Sequence, residues 1–255
     1  MIILKSPWEL ARMRQAGQIV AKVLAALREE IRPGVTTAHL DALAYQIIAE
    51  HKAIPSFKGY RGFPASLCAS INEEVVHGIP GPRTLEEGDI ISLDVGAIYQ
   101  GYHGDAAITV GVGRISQEAA RLLEVTVGAL EAGIAQARPG HRLWDVIRAI
   151  QGYVEERGFN VVREYQGHGI GREMHEEPSI PNFLGDADQR PRNVRLRPGM
   201  TFALEPMVVA GDWPTRVLGN KWTVVTKDRR LSAHFEHTIA VTEDGPEILT
   251  RLREG

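Results

Sequence analysis

The chain has 255 residues, of which 44% are hydrophobic and 24% charged, and its formal net charge is -3. This composition suits a globular protein with a full-sized core, and the near balance of charge argues against a nucleic-acid substrate or an anionic membrane as main partner. The lone cysteine, Cys68, excludes an internal disulfide and a thiolate zinc cluster. The first residues lack a signal-peptide core, and no apolar run reaches the roughly 18 residues of a membrane span. We therefore expect a cytoplasmic protein.

Helices and strands are predicted in a similar order in both halves of the chain. Apolar residues three and four positions apart predict helices over 8–30, 36–51, 117–137 and 143–157. Short apolar runs between turn residues predict strands near 66–72, 89–97, 103–111, 161–164, 200–209, 222–226, 232–242 and 248–252. We expect an α+β fold with mostly antiparallel strands. Because no linker separates the halves, we expect one domain over residues 1–255.

Two short echoes relate the halves. Leu-Glu-Glu-Gly at 85–88 and Leu-Arg-Pro-Gly at 196–199 each precede a predicted strand that carries an acid, Asp94 in one half and Glu205 in the other. The tripeptide Arg-Pro-Gly at 32–34 recurs at 138–140, and each copy is followed by a helix-like pattern. Neither echo is long, and helix followed by strand is a common order, so duplication and coincidence both remain open.

Asp94 and Asp105 lie on two predicted strands joined by a short link. A hairpin centred between Tyr99 and Gln100 makes them direct cross-strand partners, with Cβ atoms roughly 4.5–5.5 Å apart. Two carboxylates at that distance repel, so each needs a proton or a cation nearby. The alternative is a pair of exposed strand acids, which the apolar residues on either side of each make less favourable.

Glu205 and Glu236 also occur in core-like strands. A buried carboxylate is costly unless it is protonated, paired or bound to metal, and pairing with one of the many arginines is the competing explanation. The segment Gly167-His168-Gly169-Ile170-Gly171 lacks the spacing of a dinucleotide fingerprint. Its glycines instead let the backbone bring the His168 ring close to another group. His175 follows, and the glycines and Pro178 make a helix unfavourable there.

Taken together, these segments resemble the type I, bacterial-type methionine aminopeptidases of peptidase family M24. The resemblance covers nearly the whole chain and rests on the segments 70–73, 77–80, 94 with 105, 167–171, 175–178, 205–207 and 236–238. It implies the pita-bread fold, in which two pseudo-symmetric α/β halves, here roughly 1–115 and 116–255, surround a central antiparallel sheet.

The resemblance implies an enzyme that removes the N-terminal methionine from nascent proteins and peptides. It implies a preference for a small second residue and hydrolysis assisted by two divalent metal ions. Five residues correspond to the metal ligands: Asp94, Asp105, His168, Glu205 and Glu236. Asp105 and Glu236 would bridge the ions, Asp94 would complete one, and His168 with Glu205 the other. Oxygen-rich ligands with one imidazole suit manganese, iron or cobalt, and zinc less distinctively.

The resemblance also assigns catalytic and binding roles. Glu205 would carry a proton, His175 would hydrogen-bond the scissile carbonyl, and His77 would contact the scissile amide nitrogen. The methionine side chain would lie in a slot lined by Tyr60, Phe63, Cys68, His77 and Trp222. Phe57 and Met174 depart from the family pattern, which has a small residue or cysteine at the first position and more commonly an aromatic residue at the second.

Two rival functions share the implied fold. An Xaa-Pro aminopeptidase or prolidase uses the same five-ligand scheme, but such chains usually carry a large N-terminal domain, whereas here the catalytic-type sequence begins almost at residue 1. A non-catalytic pita-bread binding protein would have lost ligands that are all present here. The resemblance further implies nascent polypeptide N-termini as substrates, a transient ribosome contact through the catalytic domain's surface, a monomer, and no membrane partner.

Overall fold

Four helices form in the computed structural model, which describes residues 1–186 and 190–252. They are α1 (Pro7–Glu30), α2 (Thr37–Glu50), α3 (Gln117–Gln136) and α4 (Leu143–Glu155). Each lies within two residues of its predicted range. The start of α1 is fixed by a capping box, in which Ser6 accepts from the Glu9 backbone and the Glu9 side chain accepts from the Ser6 backbone. None of the helices in the described residues combines the length and apolarity that membrane crossing requires.

Apart from a 3₁₀ turn over Tyr60–Gly62, strands make up the rest of the regular structure. Within the described residues they are β1 (Ile54–Pro55), β2 (Leu67–Ile71), β3 (Glu74–Val76), β4 (Ile90–Tyr99), β5 (Tyr102–Gly111), β6 (Asn160–Val161), β7 (Gln166–Gly169), β8 (Glu176–Pro181), β9 (Thr201–Leu204), β10 (Met207–Val209), β11 (Thr215–Val217), β12 (Val224–Thr226), β13 (Ser232–His234), β14 (Glu236–Thr242) and β15 (Gly245–Ile248).

The largest sheet joins the two halves of the chain. Its order is β1-β4-β5-β14-β9-β7-β8, with β2 beside β4 and β15 beside β14. Two three-stranded sheets, β13-β10-β6 and β11-β12-β3, complete the architecture. The pairings are antiparallel throughout. The predicted α+β class with a central antiparallel sheet is confirmed.

The predicted centre of the β4–β5 hairpin is wrong by one residue. Tyr99 pairs with Tyr102, and the two-residue turn between them is Gln100-Gly101, both with positive φ. A turn of this kind matches the right-handed twist of the strands. Asp94 therefore pairs with Ala107, and Asp105 with Gly96, so the two acids are diagonal neighbours on one face and not direct partners.

Several predicted strand boundaries also differ from the structure. The predicted strands 200–209 and 232–242 are each interrupted, the strand near 161–164 is only residues 160–161, and β15 ends at Ile248, where a strand was predicted to begin. β1, β3, β7, β8 and β11 were not predicted. These strands are short or rich in glycine and proline, so their periodicity is weak.

Each half contributes its own hydrophobic core. One cluster is formed by α1 and α2 with β2, β4 and β5, and it includes Leu27, Leu40 and Leu93. α3 and α4 pack with second-half strands in another, including Leu122 and Phe202. Fully burying a side chain of this size contributes about 1.5–3 kcal/mol. The packed helices hold the central sheet in place and so fix the positions of the acids it carries.

Candidate metal and substrate site

One cavity brings together all the residues predicted for the site. Its lining includes the predicted ligands, the predicted catalytic histidines and the predicted slot residues: Asp94, Asp105, His168, Glu205, Glu236, His77, His175, Tyr60, Phe63, Cys68 and Trp222. Phe57 and Met174, the two departures from the family pattern, line the same cavity. The acids are thus placed beside an apolar slot.

Strands β4 and β5 present Asp94 and Asp105. Asp94 also lies opposite Cys68 of β2, which brings the thiol next to the carboxylate. The backbone N–H of Asp105 donates to Thr238 Oγ1 (3.0 Å), and the same hydroxyl donates back to the Asp105 carbonyl (2.8 Å). This buried reciprocal bond fixes β5 against β14, the strand on which Glu236 lies.

His168 reaches the acids because two glycines flank it on β7. A Cβ at Gly167 would lie 2.4 Å from the Ala203 carbonyl oxygen, and one at Gly169 would lie 2.2 Å from that of Glu177. The His168 Nδ1–H donates to the Gly169 carbonyl (2.9 Å), an assignment that leaves the Nε2 lone pair free. Nε2 lies 3.5 Å from Glu205 Oε1 and 3.9 Å from Asp105 Oδ2.

Glu205 and Glu236 lie where strands are interrupted. β9 ends at Leu204 and β10 begins at Met207, while β13 and β14 are separated by Phe235. The register is the same on both sides, since Leu204 pairs with His237 and Met207 with His234. Glu205 therefore faces Glu236 across the interruption. Glu205 lies outside the strands and Glu236 is paired with β5 on one side only, and both residues line the cavity.

The buried acids contain acceptors that the described residues leave unsatisfied. Asp94 Oδ1, Asp105 Oδ1 and Glu236 Oε1 are buried without a hydrogen-bond partner in that part of the chain. Burial raises the pKa of Asp94 to about 7. It also raises the pKa of Asp105, Glu205 and Glu236 well above their usual range, with repulsion from neighbouring carboxylates adding to the effect.

A divalent cation fits this donor set. Ligand atoms of Asp105, His168 and Glu236 lie within 4.8 Å of one another. A cation would satisfy the orphaned oxygens and remove the repulsion that keeps their pKa values high. The chemistry of the donors, carboxylate oxygens with a neutral imidazole, is that of manganese, iron, cobalt or zinc sites.

His77 and His175 lie on the cavity wall as neutral imidazoles. Burial lowers the pKa of His77 to about 4, and His175 adds to the shift. Burial and the Arg61 guanidinium lower the pKa of His175. His175 Nδ1 lies 2.9 Å from Tyr60 Oη. His77 has a φ of 60°, a strained conformation for a residue with a Cβ, of a kind often found at functional sites.

The apolar slot has aromatic walls. Phe63 meets Trp222 edge to face with ring centroids 5.1 Å apart, and His77 meets Trp222 at 6.3 Å. Cys68 is a buried lining residue, and burial and the charge of Asp94 raise the pKa of its thiol. Phe57 is held beside the slot by Gly96, whose hydrogen is the largest substituent that fits there. The walls suit an unbranched, apolar side chain.

His234 is a site residue that the sequence interpretation missed. It is 2% exposed, and its Nε2 lies 3.8 Å from Glu236 Oε2 and 3.9 Å from Glu205 Oε2. Alternation could have found it, because residues 234 and 236 share one face of an extended segment. Other lining residues carried no signal in the sequence: Arg61, Val76, Tyr165 and Gln166.

Comparisons with known proteins agree with this geometry. The model of metallopeptidase family M24 matches residues 11–243. Methionine aminopeptidase 1 of Bacillus subtilis (strain 168) is 54% identical over 252 residues, covering 99% of this chain and all of that protein. The crystal structure of methionine aminopeptidase from Thermotoga maritima has a TM-score of 0.95 at 48% identity, covering 98% of this chain and all of that one.

A more distant likeness bears on the fold alone. The prolidase from Pyrococcus furiosus has a TM-score of 0.77 at 22% identity, and the match covers 99% of this chain but 66% of that one. The shared architecture confirms the pita-bread fold predicted above.

Proposed function

The chain belongs to metallopeptidase family M24, and from this membership and its cavity we infer that it is an aminopeptidase that removes the N-terminal methionine of polypeptides. The observation that carries this conclusion is a buried cluster of four carboxylates and an imidazole beside an apolar slot. The cluster supplies hydrolytic chemistry, and the slot accepts one apolar side chain at a chain end.

We propose that the cluster holds two divalent ions. Asp94 would help to hold one ion, His168 and Glu205 would help to hold the other, and Asp105 and Glu236 would help to hold both. Four carboxylates balance the charge of two dications. When bound, the ions would act as Lewis acids. They would polarise the scissile carbonyl and lower the pKa of a water molecule, so that it can lose a proton and attack that carbonyl. Manganese, iron and cobalt fit the ligand types better than zinc.

The chain's own side chains carry the remaining steps. Glu205 moves the proton from water to the departing amine, acting first as a general base and then as a general acid. We assign to His175 the tautomer in which Nδ1 accepts from the Tyr60 hydroxyl. Its Nε2–H then donates to the scissile carbonyl as negative charge develops there. His77 contacts the amide nitrogen.

We extend the proposal to the protein's setting. The substrates are N-termini of nascent polypeptides in the cytoplasm. Their second residue is small because it lies against the acids that crowd the cavity. The enzyme acts as a monomer and contacts the ribosome transiently through its outer surface. Because both halves supply ligands, residues 1–255 form one catalytic unit and neither half is active alone.

A peptide assay tests this function against its nearest rival. The protein is stripped of metal, reloaded with Mn²⁺ or Co²⁺, and incubated with Met-Ala-Ser, Met-Leu-Ser and Ala-Pro peptides. We expect rapid release of methionine from Met-Ala-Ser, slower release from Met-Leu-Ser and none of alanine from Ala-Pro. Cleavage confined to Ala-Pro would identify an Xaa-Pro peptidase instead. No cleavage by the reloaded protein would contradict both.

A further inference from the structure

A buried ion pair lies outside the cavity lining, and the function proposed above gives it no role. Lys5 Nζ is 2.5 Å from Glu176 Oε2, and the two side chains are 2% and 6% exposed. Among the residues that the structure describes, Lys5 is the only buried lysine or arginine. Opposite charges buried together constrain each other strongly, because displacing one leaves the other uncompensated.

Glu176 also organises the loop that leads to His175. Its Oε1 accepts from the backbone N–H of Arg172 (2.9 Å) and of Glu173 (3.3 Å). On the other side, Glu176 pairs with Gly169 in the β7–β8 ladder. One carboxylate therefore closes the loop that ends at His175, while strand pairing fixes the residue that follows it.

The third glycine of the 167–171 segment makes room for the ion pair. A Cβ at Gly171 would lie 2.3 Å from Lys5 Cε and 2.5 Å from Glu176 Oε1. Lys5 is fixed in turn, since its backbone N–H donates to the Gly199 carbonyl at 2.7 Å. Gly199 precedes β9, the strand that leads to Glu205. The pair thus connects the segment before α1 with the loop that leads to His175, and through Gly199 with the strand that leads to Glu205.

We propose that Lys5 and Glu176 are positioning residues that hold His175 in place to donate to the scissile carbonyl. The His175 ring lies 4.1 Å from the His168 ring, and Nδ1 lies 2.9 Å from Tyr60 Oη. Both contacts depend on the position of the loop that Glu176 closes. Misplacing a catalytic group by about 1 Å can cost roughly 10²-fold in rate. The inference rests on the proposed function and on the role given there to His175.

A mutant cycle through His175 tests this. Lys5→Met and Glu176→Gln are made in the wild-type chain and in His175→Ala, and kcat and KM are measured with Met-Ala-Ser. In the wild-type background we expect each to lower kcat about tenfold or more, with KM within about threefold. In His175→Ala we expect less than about twofold, because the residue they position is absent. Lys5→Arg keeps the charge and should retain most of kcat.

Two controls separate positioning from general damage. Arg14→Met breaks a different ion pair, in which Arg14 Nε and Nη2 each lie 2.7 Å from Glu247, and it should leave kcat unchanged. Mn²⁺ affinity, measured by calorimetry, should be unchanged in all variants. If Lys5→Met does not fold, Glu176→Gln carries the cycle, since it keeps the side chain's shape and an acceptor for the loop.

Three results would overturn the inference. These are an equal fold-loss in both backgrounds, an unchanged kcat in folded Lys5→Met or Glu176→Gln, and a loss that follows metal affinity. Failure of the proposed function looks different, because the wild-type chain would then not release methionine at all. Activity that falls in His175→Ala but not in Lys5→Met or Glu176→Gln overturns this inference alone.

Discussion

The two halves of the molecule deliver their acids in different ways. In the first half, Asp94 and Asp105 lie on β4 and β5, ten-residue strands that pair without interruption. In the second half, Glu205 and Glu236 lie where β9 gives way to β10 and β13 to β14. The first pair is therefore held at the fixed spacing of a ladder. Glu205 lies outside the strands, and Glu236 is paired with Ala107 of β5 on one side only, because the ladder with β9 begins at His237.

This difference shows how a sheet can gather four carboxylates in one place. Diagonal positions in the ladder limit the repulsion between Asp94 and Asp105, but they also limit how closely the two carboxylates approach each other. The interruptions let Glu205 and Glu236 turn towards the ladder acids and towards His168 and His234. The Thr238 hydroxyl, which is bonded to Asp105, fixes the uninterrupted strands of the first half against the interrupted strands of the second.

Removing one acid from each half should have the largest effect. Asp105→Asn and Glu236→Gln each delete a proposed bridging ligand, so we expect kcat/KM for Met-Ala-Ser to fall about 10³-fold or more, with loss of tight Mn²⁺ binding. Glu118→Gln, a surface change, is the control. A large loss in only one of the two variants would show that a single half holds the metal.

The halves should behave alike towards pH, because burial raises the pKa of all four acids. Below its pKa each acid keeps a proton that a metal must displace, and the Asp94 pKa is about 7. We expect Mn²⁺ affinity to fall as pH drops from 8 to 6, about tenfold per pH unit for each proton released. The pKa of His168, lowered to about 3, keeps it neutral throughout. Calorimetry in buffers of different ionisation enthalpy counts the protons.

The same shifts set the sign for stability. In the metal-free protein the folded state holds protons that the unfolded state releases above about pH 4.5, so these acids destabilise the fold as pH rises towards their folded pKa values. Stabilisation by added Mn²⁺ should therefore be greater at pH 7.5 than at pH 5.5 in thermal melts. Equal stabilisation at both values would contradict the raised pKa values.

Glycine substitutions should show a smaller contrast between the halves. Gly167→Ala in the second half would press a Cβ against a backbone carbonyl, whereas Gly96→Ala in the first half meets the side chains of Ser56 and Phe57. We expect the free energy of unfolding in urea to fall by about 3 kcal/mol in Gly167→Ala and by about 1 kcal/mol in Gly96→Ala, because a backbone carbonyl moves aside less easily than side chains do. Gly81→Ala has open space and should change stability by less than about 0.5 kcal/mol. Equal losses at 96 and 167 would remove the contrast.

The helices and the identity of the acids could be predicted because their signals are local. Spacings of three and four specify α1 to α4, and a carboxylate within an apolar run stands out wherever it lies. The hairpin register could not be predicted, because Gln100 is not a residue that marks a left-handed turn position as asparagine or glycine does. The displacement by one residue changed direct partners into diagonal ones.

The interruptions in the second half needed information that periodicity does not hold. Pro206 lacks a backbone N–H and is the one local sign that the strand after Leu204 stops. Phe235 shows no such sign, and its break follows from facing that proline across the sheet. β7 is a strand because β8 and β9 pair with both of its edges, although its glycines have low strand propensity.

The place of β14 bears on how the enzyme is made. This strand comes late in the chain, yet in the finished sheet it lies between β5 and β9. Until residues 236–242 are available, those two strands are open edges that could pair with other chains. Glu236 pairs across the sheet with Ala107, a contact between distant parts of the sequence that forms slowly because a long loop must close first. We therefore expect a chain that ends before residue 236 to be inactive as well as prone to associate.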